Sequence, residues 1–119
     1  MKKLFKSLSC VSLLIGLAGM ASAAQIDGVL MDKMCSAKAV QGGQKAAAEH
    51  TTQCALMPPC QASGYGVFTA DNKFVTLDDA GNAKAVEALK ATKKKDNLKV
   101  RVTGDVQGDT IKVASLKLQ

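Results

Sequence analysis

The chain has 119 residues with a formal charge of +6, and only 3% of its side chains are aromatic. That length suits one small domain. Without Lys2, Lys3 and Lys6 the basic excess falls to +3, too modest, with Tyr65, Phe68 and Phe74 as the only aromatics beyond the first turn of chain, for a basic groove that stacks nucleic-acid bases.

Met1 to Lys6 is a positive leader, Ser7 to Met20 is largely apolar, and Ala21-Ser22-Ala23 is a small-residue cleavage pattern. Together they predict a secretory signal peptide over residues 1–23, with cleavage before Ala24. The apolar run from Leu8 to Met20 is shorter than the roughly 20 residues that cross a bilayer, so no stable membrane anchor is expected after cleavage. Cys10 precedes most of that run, which is the wrong place for a lipidated cysteine, and it leaves with the leader. Residues 24–119 are then a single exported domain, periplasmic or secreted.

Gln25 to Asp32 reads as a first strand, with Gly28 marking a bulge or a close approach. Helix formers dominate Ser36 to Met57, interrupted by Gly42-Gly43 and closed by Pro58-Pro59, which predicts a broken helical insertion over about 36–57. Gly64 to Ala70 and Lys73 to Leu77 form a hairpin about Asp71-Asn72. Asp78 to Asn82 is turn chemistry, and Ala83 to Thr92 carries helical spacing with Asn82 as the available N-cap. Leu98, Val100 and Val102 alternate with polar residues as a half-buried strand. In the last strand, Ile111 to Leu118, the apolar phase changes, which a bulge near Ala114-Ser115 reconciles. The Lys93-Lys94-Lys95 run follows the second helix and is read as solvated charge complementing the helix dipole.

This order of strand, helical insertion, two strands, helix and two strands predicts a mainly β protein, an OB-like barrel with two helical segments. The alternative is an α+β open sheet with a packed helix. The Gly28-x-x-x-Asp32-x-x-Cys35 start, the Cys54 to Cys60 segment, Gly64-Tyr65-Gly66-Val67-Phe68, Val100-x-Val102-x-Gly104 and Gly108-Asp109-Thr110-Ile111-x-Val113 are similar to a group of small exported bacterial proteins described as hypothetical secreted proteins. The resemblance spans most of residues 24–119. It implies export and an OB-like barrel, and says nothing about chemistry.

The chemistry-bearing residues fall in one segment: Cys35, His50, Cys54 and Cys60, with His50 the only histidine of the chain. On a helix spanning 46–57, His50 and Cys54 lie one turn apart on one face, and the two prolines turn Cys60 back toward them. Three cysteines and one histidine are a recognised tetrahedral zinc set, although no short C-x2-C knuckle is present. Met31, Met34 and Met57 add thioethers nearby, Met57 as a possible accessory ligand, and thiolate with thioether favours monovalent copper. The expected function is therefore a non-enzymatic exported domain that binds copper or zinc.

The alternative is a disulfide-stapled binding or interaction module without cofactor, in which one bond among Cys35, Cys54 and Cys60 stabilises a small core by about 2 to 4 kcal/mol. Thiol redox activity is the remaining option, with His50 near Cys54 lowering its pKa. The chain contains no C-x-x-C, no phosphate-binding glycine loop and no serine nucleophile elbow, so an enzyme is not expected. No protein partner is identifiable from these residues.

Overall fold

The computed structural model describes residues 23–119, so the expected leader peptide, with Cys10, lies outside the described residues except for Ala23. Nine elements follow in order: β1 (Ala24–Asp32), α1 (Lys33–Ala48), α2 (Thr52–Ala55), α3 (Pro58–Ser63), β2 (Tyr65–Thr69), β3 (Phe74–Leu77), α4 (Asp79–Ala91), β4 (Lys99–Gln107) and β5 (Thr110–Leu118). The strands close in the order β1-β2-β3-β5-β4. β1 is antiparallel to both β2, with Val29 opposite Phe68, and β4, with Ile26 opposite Val102. Parallel pairing of β3 with β5 at Thr76–Thr110 and Leu77–Ile111 completes the circle. The barrel is therefore closed, five-stranded and mixed, and the open-sheet alternative does not hold.

Alternation in β4 places Val100 and Val102 inside, where they meet Leu30, Val67, Phe68, Leu98 and Ile111, all essentially inaccessible. α4 covers one side of this core with Ala85 and Leu89. Two glycines let backbones approach where a side chain has no room. A Cβ at Gly28 would stand 2.3 Å from the Phe68 carbonyl oxygen, and one at Gly104 would stand 2.0 Å from the Lys112 carbonyl oxygen. Gly28 is thus a close-approach position between β1 and β2. The expected bulge is present: Thr103 pairs with Ser115 and Gly104 with Val113, leaving Ala114 as the extra residue.

Three boundaries differ from expectation, two because a polar side chain caps a helix at another place and one because prolines start a helix. The insertion starts at once after β1, since the Asp32 carboxylate accepts from the Cys35 N–H at 3.0 Å and so caps α1. Pro58-Pro59 begin a helix instead of closing the insertion: with no N–H to donate and φ already helical, they occupy the first positions of α3. The insertion accordingly runs from Lys33 to Ser63 as three helices, with α1 kinked at Gly43, whose φ is 72°. Finally, Asp78, not Asn82, caps α4, accepting from Gly81 N–H at 2.9 Å. Asn82 sits inside the helix, and its Oδ1 accepts from the Tyr65 N–H at the start of β2.

Candidate metal centre

The site lies where the insertion meets the lower end of β1, and its position follows from Asp32. This residue ends β1 opposite Tyr65, has no exposed surface, and caps α1 through Oδ2. Capping α1 places Cys35 on the first turn of that helix, above the same carboxylate. At the other end of α1 the chain leaves the helix at Glu49, and His50 follows, buried to 8% exposure. Its N–H donates to the Ala47 carbonyl, and its imidazole reaches Asp32.

Asp32 Oδ1 and His50 Nε2 are 2.9 Å apart with side chains 0% and 5% exposed. Apart from each other, neither atom has a hydrogen-bond partner. A buried carboxylate and imidazole this close are satisfied by a shared proton or by a common cation. Cys35 Sγ completes a group with these two in which one donor atom from each residue lies within 4.8 Å of the others. Around an ion bound at about 2.0 to 2.3 Å, tetrahedral donors are separated by about 3.3 to 3.8 Å, so the Asp32–His50 pair at 2.9 Å would open by a few tenths of an ångström to share one. Asp32, Cys35 and His50 therefore lie close enough to hold a metal ion.

Of the four residues expected from sequence, Cys35 and His50 are brought together. Cys54 and Cys60 do not belong to the group of three. Cys60 is buried on α3, its thiol close to the Asp32 carboxylate and the Cys35 sulfur. Cys54 is exposed on α2, where it lines a cleft of about 260 Å³ together with Cys35, His50 and Met31. The expected helical pairing of His50 with Cys54 is not formed. Thr51 adopts extended backbone and its hydroxyl accepts from the Cys54 N–H, so the helix begins after His50 and the two residues belong to different segments. Met57, the expected accessory ligand, caps α3 with half its surface exposed and lies outside the donor group; Met34 is also exposed. Cys35, Cys54 and Cys60 are all free thiols.

Asp32 is the residue that sequence reasoning passed over as a ligand. Its one sequence signal is its place three before Cys35, at a strand-to-helix junction that favours an N-cap.

The electrostatics of the group follow from burial. The Cys35 thiol is pushed up to about 11 by desolvation and then by the Asp32 carboxylate, and Cys60 is raised by the same two causes in the same order. His50 is lowered by desolvation, which outweighs the opposing attraction of Asp32, and Lys38 lowers it further. At neutral pH the imidazole is then neutral with a lone pair to give, and a bound cation would replace the thiol proton of Cys35.

Among the described residues, no helix is long and apolar enough to cross a membrane. Comparison of the chain with protein-family models, with curated proteins and with solved structures found no match.

Proposed function

We infer that the protein is an exported, non-enzymatic metal-binding domain in which Asp32, Cys35 and His50 hold a single ion and a sulfur of the insertion completes the shell. The observation that carries this reading is the buried Asp32–His50 contact at 2.9 Å in which neither facing atom has a further hydrogen-bond partner. One oxygen, one imidazole nitrogen and one or two thiolates suit a borderline divalent ion. The carboxylate shifts the balance from monovalent copper, which prefers sulfur alone, to zinc. The raised thiol of Cys35 is the opposite of what an activated nucleophile requires, which supports binding over thiol catalysis. Export rests on the charged, apolar and small-residue blocks of residues 1–23.

The test is zinc titration of the reduced protein, followed by native mass spectrometry. One zinc per chain is expected. Asp32→Asn keeps a capping side chain but removes the charge, and with Cys35→Ser it should weaken binding by about 100-fold or more. Equal affinity in both variants, or no zinc in the reduced wild type, would overturn the reading. An exported protein two hydrogens lighter than its sequence and free of metal would instead establish the disulfide-stapled module.

A further inference from the structure

We propose that the cleft above the cluster is a ligand-exchange mouth, through which the ion arrives and departs as a complex with a small amino-acid thiol, Cys54 being the protein thiol that takes the small thiol's place. The proposal rests on the metal-binding reading and adds the chemical form of the cargo and the order in which the donors meet it.

The donors are graded by depth. Asp32 and Cys60 are buried, His50 is nearly so, Cys35 is half-buried and Cys54 is exposed. Cys35, His50 and Cys54 share one cleft, and neither Asp32 nor Cys60 lines it. An ion entering from solvent thus meets Cys54 before it reaches the deepest donors. His50 Nε2 at the cleft floor, with Asp32 Oδ1 behind it and no further partner for either, is the buried polar pair that a cation would satisfy. The cleft of about 260 Å³ has room for an amino acid.

The walls of the cleft carry one charge of each sign. Lys38 and Glu49 both line it, and neither forms an ion pair among the described residues. A zwitterionic thiol bound through sulfur to the ion finds a partner for its carboxylate in Lys38 and for its ammonium in Glu49. α2, which carries Cys54, is a single turn held at its start by the Thr51 cap and by Thr52, whose N–H donates to the Lys95 carbonyl and whose hydroxyl donates to that of Lys94. Cys54 therefore rides on the smallest element of the insertion.

The exchange is balanced without redox chemistry. The bond between the ion and the small thiolate breaks, the bond between the ion and Cys54 Sγ forms, and the Cys54 proton leaves on the departing thiol. No oxidation state changes.

The test compares rates of zinc uptake from two carriers, the L-cysteine complex and the nitrilotriacetate complex, at matched free zinc, with a chromophoric zinc indicator in stopped flow. The wild type should load roughly tenfold faster from the cysteine complex. Cys54→Ser should still take up zinc through the inner donors, more weakly, and at the same rate from both carriers. Glu49→Gln, an exposed change with no bearing on folding, should reduce the cysteine advantage by about threefold or more, as should replacing cysteine with N-acetylcysteine in the wild type. A wild type that binds one zinc but loads equally fast from both carriers overturns the exchange proposal alone. A Cys54→Ser variant that keeps the full advantage does the same. A wild type that binds no zinc from either carrier overturns both the proposal and the metal reading beneath it.

Discussion

Tyr65 shows how one side chain ties the site to the barrel. It is fully buried opposite Asp32, and its hydroxyl donates to the Ala55 carbonyl at 2.6 Å, fastening α2 to β2. Tyr65→Phe leaves that carbonyl buried without a donor and should cost about 1 to 3 kcal/mol, read from chemical denaturation. The phenol is pushed up to about 12 by burial, with the Asp32 carboxylate adding to it. An unfolded tyrosine ionises near pH 10, so between pH 10 and 12 the folded chain holds a proton that the unfolded chain has released. The stability contributed by this group is complete below pH 10 and declines as pH rises toward 12. The denaturation midpoint of the wild type should fall over that window, and Tyr65→Phe should lack this component.

At the scale of elements, helix starts decide what the insertion brings together. Asp32, Thr51 and Asp78 each cap a helix, and the first two set which residues face the cluster. Asp78 does more than cap: its Oδ1 accepts from Gly81 at 2.9 Å and from Val113 at 3.2 Å, joining α4 to β5. Asp78→Ala should therefore destabilise by about 1 to 2 kcal/mol, at the upper end for a lost cap, measured as a shifted urea midpoint with unchanged slope. These caps also explain what the sequence disclosed. Period-two alternation in β4 and turn residues at Asp71-Asn72 made the strands legible, and the phase change at Ala114 made the bulge legible. Cys35 and His50 were legible because few residue types bind soft metals. Asp32 was not, because a carboxylate at the end of a strand is ordinary turn chemistry until the fold buries it. The supposed helical pairing of His50 with Cys54 failed because Thr51, a strong cap, starts a new helix between them. Helix propensity alone carries no notice of that interruption.

Across the whole molecule, the closed barrel and the insertion meet at the proposed metal site, so loading should report on global stability. A ligand that binds the folded state alone stabilises it by about 2.7 kcal/mol when present at 100 times its dissociation constant. For a domain of this size that corresponds to a rise in melting temperature on the order of 10 °C. Calorimetry of the reduced protein with and without zinc should show this rise, and Asp32→Asn should abolish it while keeping a cooperative transition. A surface contact such as the exposed Arg101–Asp27 pair, at 3.0 Å, carries no comparable leverage, since its charges are already solvated.

The double duty of Asp32 limits how such a centre can diversify. A short side chain bearing an acceptor begins α1 most favourably, and a thiol at this place would give up that cap, about 0.5 to 2 kcal/mol, in the turn that presents Cys35. A variant built for a purely sulfur-loving ion would therefore keep more stability by gaining its extra thiol elsewhere in the insertion and leaving this oxygen where it stands.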